Sequence, residues 1–308
     1  MMSKEIILGT RGSKLALFQT NLVLKKLQNL FPDRLFKLKK IVTKGDKDLI
    51  SPLETSIEKG FFVKEIQENL IEGKIDIAVH SLKDLPVDTH PSLSISAVLR
   101  RGDHRDCFIS KDNTPFEMLP SKSVIATSSN RRRAQILHIN PMLKVVSIRG
   151  NIDTRINKMI DGYCDGLVLA SVALERLQIS NFSPDFFDGN QMLNAPGQGA
   201  VAVETRSSGD IIDMVKKLDH IETRYCVEQE RLFLKTLKGG CTSPIASYCS
   251  IEGDKINLKG TVLSLNGQEI ITKELESEYN SNVNIGVNLA SSILKDGGDR
   301  ILADSRSL

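Results

Sequence analysis

The chain has 308 residues, is 40% hydrophobic, and carries 41 basic and 38 acidic side chains, which gives a net charge of +3. This balance, with no Trp and 4 Tyr, argues against a nucleic-acid binder built on a basic surface and stacked bases. Five cysteines without a CxxC pair argue against a disulfide framework or a zinc site, and the apolar runs are too short for a membrane span. We expect a soluble cytoplasmic protein with reduced thiols and no bound metal, of two domains by length, with one or three left open.

Short apolar strands alternate with helical patterns over the first two thirds of the chain. The spacing of apolar residues predicts helices over 15–30 and 62–70, with strands at 6–8, at 75–79 and ending at 42. After residues 100–103 the same pattern predicts helices at 131–139, 152–160 and 172–177, with strands at 123–126, 145–148, 167–169 and 200–204. This alternation is typical of mostly parallel sheets covered by helices, and the Pro-Gly-Gln-Gly at 196–199 indicates a crossover or hinge.

The last third has a different pattern. Strand-like runs follow one another at 245–251, 255–263 and 268–274, and the Asn-Gly pair at 266–267 is a strong hairpin signal. Apolar residues at helical spacing over 287–294 then predict a closing helix. We expect a small α+β domain built on an antiparallel meander.

Three segments lead from a predicted strand, through hydroxyl or amide residues and arginine, into a predicted helix: 10–13, 127–133 and 149–155. A helix N-terminus presents N–H groups and partial positive charge, and arginine adds a fork that matches carboxylate or phosphate. One such segment is explained as well by ordinary helix capping. Three in one chain favour a polyanionic ligand, although 131–133 (Arg-Arg-Arg) leaves a nucleic-acid patch open.

Two further segments carry chemistry. Lys83 and Asp84 follow the predicted strand at 75–79, at the end of a sheet where ligands bind in open α/β folds, and together they can bind an anion and move a proton. The alternative is a solvated charge pair, and His80 beside them is interpreted as structural. Cys241 follows two glycines on a loop, where it is either a nucleophile or attachment point or an ordinary free thiol.

These segments, taken in order over nearly the whole chain, resemble those of the porphobilinogen deaminase (hydroxymethylbilane synthase) family. The most specific are His-Ser-Leu-Lys-Asp-Leu-Pro at 80–86, Ser-Ser-Asn-Arg-Arg at 128–132 and Gly-Gly-Cys at 239–241. The resemblance extends to 9–16, 42–46, 59–65, 148–151 and 196–200.

The resemblance implies an α/β fold of two periplasmic-binding-protein-like α/β domains and a small α+β C-terminal domain. It assigns residues 1–99 and 200–217 to a first lobe for substrate and catalysis, 100–199 to a second, anion-binding lobe, and 218–308 to a third domain that carries the cofactor. It also implies a monomer that acts on a small molecule, with no nucleic-acid or membrane partner.

The resemblance further implies head-to-tail condensation of four porphobilinogen molecules, with loss of ammonia, onto a dipyrromethane cofactor, followed by hydrolytic release of hydroxymethylbilane for haem biosynthesis. Cys241 would hold the cofactor through a thioether, and Asp84 would be the catalytic acid that stabilises a cation and relays protons. The residues implied to hold cofactor carboxylates are Lys83, Ser129, Arg131 and Arg132. Those implied to face incoming or growing pyrroles are Arg11, Ser13, Arg149, Arg155 and Arg176.

The chain departs from the family pattern at Asn130, where leucine is common, and at Thr242 and Ser243, which replace the usual pair after the cysteine. The alternative function is a non-enzymatic, two-lobed anion-binding protein, which needs neither a tethered cofactor nor an acid. A nucleic-acid module based on 131–133 would instead show binding that weakens steeply with salt.

Overall fold

The structure is a computed structural model that describes residues 5–43, 63–240, 242–279 and 283–306. The motif segments 44–46 and 59–62, and Cys241, lie outside these residues. The described chain forms two compact units. Of the described residues, 5–43, 63–102 and 199–225 belong to the first unit, and 103–198, 226–240, 242–279 and 283–306 belong to the second.

The strands and helices of the described residues are numbered in chain order. The strands are β1 Ile6–Thr10, β2 Phe36–Lys40, β3 Ile77–Ser81, β4 Leu93–Val98, β5 Asp106–Ser110, β6 Val124–Ala126, β7 Lys144–Val146, β8 Gly166–Ala170, β9 Asp185–Phe186, β10 Val201–Arg206, β11 Ile245–Glu252, β12 Lys255–Leu263 and β13 Ile270–Glu278. The helices are α1 Lys14–Leu30, α2 Lys64–Ile71, α3 Asn130–Ile139, α4 Ile152–Ile160, α5 Ser171–Arg176, α6 Ile211–Lys216, α7 Ile221–Thr236, α8 Ile285–Lys295 and α9 Gly298–Arg306.

The first unit contains a five-stranded sheet in the order β2-β1-β3-β10-β4. β1 runs parallel to β2 and β3, whereas β10 runs antiparallel to both β3 and β4. Helix α1 packs on this sheet because its apolar residues recur at helical spacing, so that Val23 and Leu27 are completely buried beside Leu8 and Ile77. The carboxyl ends of β1 and β3, and the turns that follow them, therefore lie at the same edge of the sheet.

The second unit contains a sheet of the same design, in the order β7-β6-β8-β5-β9. β6 runs parallel to β7 and β8, and β5 runs antiparallel to β8 and β9. Both faces of β5 are covered, since Cys107 and Ile109 lie in one apolar cluster and Phe108 in another. In each sheet, one strand runs antiparallel to both of its neighbours: β10 in the first unit and β5 in the second. Each of these is the first strand after the chain crosses from the other unit.

The second unit also contains the antiparallel sheet β11-β12-β13 with helices α8 and α9. The Asn-Gly pair at 266–267 lies between β12 and β13, and Gly267 takes the positive φ of 71° that this turn requires. Helix α3 is bound to this part of the unit at both ends. Asn130 Nδ2 donates to Thr242 O at 3.0 Å, and a ring nitrogen of His138 is 2.9 Å from Gly267 O.

The predicted fold class is confirmed, since two mostly parallel α/β sheets are followed by an antiparallel α+β part. The strand predicted at 75–79 begins later, at Ile77, and Ile75 N donates instead to Asn69 O in α2. Strands β4, β5 and β9 and helices α6, α7 and α9 were not predicted. Within the described residues, none of the helices combines the length and apolar character needed to cross a bilayer.

Candidate functional site

A pocket of about 60 Å³, open to solvent, lies in the first unit at the ends of β1 and β3. Its lining includes Arg11 and Ser13 from the turn after β1, Ser81 at the end of β3, and Asp84 from the turn that follows β3. Ser13 also caps α1, because its Oγ accepts from Ala16 N at 3.3 Å. Three predicted site residues, Arg11, Ser13 and Asp84, therefore line the same pocket, and each is half-buried. Lys83 lies in the same 3₁₀ turn as Asp84.

A buried polar network lies beneath this pocket. His80, which lines the pocket, places Nε2 3.3 Å from Glu204 Oε2, and Glu204 is completely buried. Gln67 Nε2 donates to both oxygens of Glu204, at 2.9 and 3.2 Å. The contact of His80 Nε2 with Glu204 does not meet hydrogen-bond geometry. The histidine ring therefore lies against a buried carboxylate, and its interpretation as a structural residue stays a prediction.

The second unit contains the other predicted anion-binding segments. Ser129 Oγ caps α3 by accepting from Arg132 N at 3.4 Å. Ser128 Oγ accepts from Ile148 N at 3.0 Å, which joins the segment before α3 to the one before α4. In the latter segment Arg155 Nε donates to Gly150 O at 2.8 Å. Two predicted helix N-termini are therefore adjacent in this unit.

Arg131 and Arg132 point into the second unit, where each is less than 8% exposed. Both contact Asp106, a completely buried residue at the start of β5. Arg131 Nη1 donates to Asp106 Oδ2 at 2.6 Å, and Arg132 Nη2 donates to Asp106 Oδ1 at 2.8 Å. Burial opposes ionisation of Asp106, but the charges of the two guanidinium groups prevail and hold the pKa of this carboxyl far below its ordinary value.

The remaining predicted site residues also lie in the second unit. Arg149 is in the turn before α4, and Arg176 ends α5, where burial lowers the pKa of its guanidinium. Arg11, Ser13, Lys83 and Asp84 belong to the first unit, whereas the predicted arginines at 131, 132, 149, 155 and 176 belong to the second.

Sequence reasoning missed Asp106, Glu204 and Gln198. The available signal for Asp106 was an acid at the first position of the short, apolar run 106–109. Gln198 was noted only as the middle of a Gly-Gln-Gly sequence, although it is completely buried. Polar residues at such positions must be hydrogen-bonded, and their partners are distant in sequence.

The residues near α3 fit an anionic cofactor. Arg131 Nε is buried and has no hydrogen-bond partner among the described residues, although the side chain is 4% exposed. Two guanidinium groups share one carboxylate here, so the cluster holds one positive charge in excess. A buried donor and an uncompensated charge favour an anionic ligand group. Among the described residues, no cluster of His, Cys, Asp and Glu is arranged to hold a metal ion.

The cysteines differ in their surroundings. The four described ones, Cys107, Cys164, Cys226 and Cys249, are all buried. Burial raises the pKa of Cys107 to about 12 and that of Cys164 to about 11, which disfavours the reactive thiolate.

Comparisons with known proteins decide the family. A family model described as "Porphobilinogen deaminase, dipyromethane cofactor binding domain" matches residues 6–213, and "Porphobilinogen deaminase, C-terminal domain" matches residues 224–295. The chain belongs to the porphobilinogen deaminase family. The porphobilinogen deaminase of Thermus thermophilus is 42% identical, over 98% of this chain and 99% of that protein. Those of Syntrophomonas wolfei and Listeria innocua are each 40% identical, over 98% and 100% of this chain and 99% and 100% of theirs.

Family membership confirms three predictions made from the sequence: the porphobilinogen deaminase family itself, an enzyme of the transferase class, and a dipyrromethane cofactor. Among solved structures, the effector-binding domain of BenM with benzoate aligns with 71% of this chain and 93% of its own, at 14% identity and a TM-score of 0.44.

Proposed function

We propose that this member of the porphobilinogen deaminase family condenses porphobilinogen in the pocket of the first unit, with Asp84 as its catalytic acid. The observation that carries the proposal is the convergence of Asp84, Arg11 and Ser13 on one open pocket. Pocket and family together favour an enzyme over the non-enzymatic anion-binding alternative, because a plain binder has no need of a carboxylate beside its cationic groups.

The half-buried carboxylate of Asp84 suits two tasks. It stabilises the positive charge that develops on the pyrrole substrate as ammonia leaves, and it accepts the proton lost when the new carbon–carbon bond forms. A fixed carboxylate strengthens its interaction as that charge grows, so it lowers the barrier rather than only improving binding.

Arg11 and Ser13 bind and orient substrate in this proposal. The Arg11 guanidinium matches the acetate or propionate of porphobilinogen. The Ser13 hydroxyl accepts from Ala16 N and can still donate its own proton to a substrate carboxylate. Lys83, which adjoins Asp84 in the same turn, holds a cofactor carboxylate.

The second unit would contribute the other assigned residues. Ser129, Arg131 and Arg132 would bind cofactor carboxylates, while Arg149, Arg155 and Arg176 would face incoming or growing pyrroles. When bound, the dipyrromethane supplies the free pyrrole carbon to which each new unit is joined. Cys241 is the proposed attachment point, and the burial of the four described cysteines supports this choice by elimination.

We also propose three domains, with boundaries at 1–99 and 200–217, 100–199, and 218–308, and the three separate sheets support this division. A cytoplasmic monomer without nucleic-acid or membrane partners is part of the same proposal. The near-neutral charge and unpaired cysteines support it.

Intact-protein mass spectrometry after incubation with porphobilinogen tests the proposal. We expect the protein to carry the mass of two porphobilinogen molecules less two ammonia molecules, mapped to Cys241. The Cys241→Ser variant should not retain this mass, whereas the control Cys164→Ser should carry it. An adduct on Cys241→Ser would show that another residue is the attachment point. A wild-type protein that gains no mass would support the anion-binding alternative.

A further inference from the structure

Gln198 connects the turn at 196–199 to the arginine pair, defined as Arg131 and Arg132. Its Nε2 donates to Asp106 Oδ1 at 2.9 Å and to His104 O at 2.8 Å. Arg132 Nη2 is 3.5 Å from Gln198 Oε1. The side chain is completely buried, so it contacts both members of the Asp106–Arg132 ion pair away from solvent.

The carboxylate of Asp106 has little freedom in this arrangement. Oδ1 accepts from Arg132 Nε at 3.1 Å, from Arg132 Nη2 at 2.8 Å and from Gln198 Nε2, while Oδ2 accepts from Arg131 Nη1. Of the three side chains that donate to Asp106, Gln198 is the uncharged one, and it donates from the turn at 196–199. Its amide therefore fixes the carboxylate plane without changing the charge of the cluster.

The backbone that presents Gln198 is itself held. Gly197 N donates to Glu230 Oε2 at 2.6 Å, and Glu230 Oε1 accepts from Cys249 N at 2.8 Å. Gly197 has a φ of 74°, a conformation that favours glycine. A continuous buried network thus leads from β11 through Glu230 and the turn to the arginine pair.

We propose that Gln198 is a positioning residue for the cofactor. By fixing Asp106 it fixes the orientation of the arginine pair, whose two positive charges share the one negative charge of Asp106, so that the remaining positive charge attracts a cofactor carboxylate. The inference rests on the proposed function, because the arginine pair must hold the cofactor. It assigns to the turn at 196–199 a task in cofactor binding in addition to that of a crossover.

The test compares Gln198→Met with Gln135→Met in the full chain purified without cofactor. Both residues are buried amides, but Gln135 donates to Leu193 O and Arg131 O and accepts from Leu193 N, and among the hydrogen bonds of the described residues it makes none to Asp106. The measurement is the rate at which each protein gains the cofactor mass from porphobilinogen, together with its thermal unfolding temperature.

We expect Gln198→Met to load the cofactor about 10–100-fold more slowly than wild type, by analogy with the range seen when groups that orient metal-binding residues are removed. Gln135→Met should load near the wild-type rate at a similar unfolding temperature. The KM for porphobilinogen of the loaded fraction of Gln198→Met should stay unchanged, because Gln198 acts through Asp106 on the arginine pair, and neither Arg131 nor Arg132 is assigned to incoming substrate.

Equal loading by the two variants, or loading that follows unfolding temperature alone, would overturn this inference. If Gln198→Met does not fold, the shorter amides Gln198→Asn and Gln135→Asn give the same comparison, with the same expected order. A wild-type protein that never loads would instead refute the proposed function, so the two failures are distinguishable.

Discussion

The two five-stranded sheets share a strand order but place their acids differently. In each, the last residue of the central strand pairs with the first residue of the antiparallel strand: Ser81 with Val201 in one unit, and Ala170 with Asp106 in the other. The first unit has its acid beyond the strand, where Asp84 borders a pocket. The second has it on the strand, buried against two arginines. The different position of each acid in its sheet thus gives it different burial and partners, and these determine whether the carboxylate is available for chemistry.

Asp84→Asn should give the largest effect on turnover. The amide keeps the size of the side chain but removes both the charge and the proton acceptor, so product formation should fall by about 10²–10⁴-fold. The thermal unfolding temperature should be unchanged, because Asp84 is only half-buried and lines a pocket that is open to solvent. Asp33→Asn, an exposed site in the same unit, is the control for each measurement. Turnover near the wild-type rate would remove Asp84 from the mechanism.

Asp106→Asn should affect stability most. It leaves two buried guanidinium groups without their counter-charge, which costs about 3–5 kcal/mol in the free energy of unfolding. Urea unfolding at pH 7 measures this, and Asp112→Asn, an exposed site in the same unit, should change it little. A cost as small as that of the control would mean that the ion pairs of Asp106 contribute no net stability.

The same variant has an expected pH dependence. The native pKa of Asp106 lies below its ordinary value of 3.8, so its stabilisation is complete above that pH and is lost as the pH falls toward the native pKa. The difference in unfolding free energy between wild type and Asp106→Asn should therefore narrow on acidification below pH 3.8. A difference independent of pH would contradict the lowered pKa.

The helix caps give a smaller, matched test. Ser13 caps α1 at 3.3 Å and Ser129 caps α3 at 3.4 Å, each by accepting the N–H three residues along. Ser13→Ala and Ser129→Ala should each lower the free energy of unfolding by about 1 kcal/mol, and threonine at either position should restore most of it. Clearly unequal costs in urea unfolding would show that the two turns are not equivalent in energy.

The sequence predicted elements whose periodicity is unambiguous. The apolar spacing of α1 and α4 and the Asn-Gly hairpin gave these elements close to their observed bounds. Strand β5 was not predicted, because a short strand that is buried on both faces shows no alternation of apolar and polar residues. Helix α7 was not predicted although it is 16 residues long, because its polar residues Gln229 and Glu230 accept hydrogen bonds from buried backbone N–H groups rather than face solvent.

The candidate site was predictable where a motif names the residues. Asp84, Arg11 and Ser13 each follow a strand in a recognisable segment, and the structure brings them to one pocket. The partners of Arg131 and Arg132 were not predictable, because Asp106 and Gln198 are far from them in sequence and in no shared motif. Long-range polar partners depend on the tertiary fold, which local patterns do not specify.

The antiparallel strand of the first sheet has a consequence for how the protein is made. β10 joins β3 to the edge strand β4, yet it is synthesised only after residues 103–198, which belong to the other unit. A nascent chain therefore has β3 and β4 available long before the strand that connects them. Pairings of such large sequence separation form slowly, and the exposed strand edges can associate wrongly in the meantime. On the ribosome, the second α/β sheet can be completed before the first.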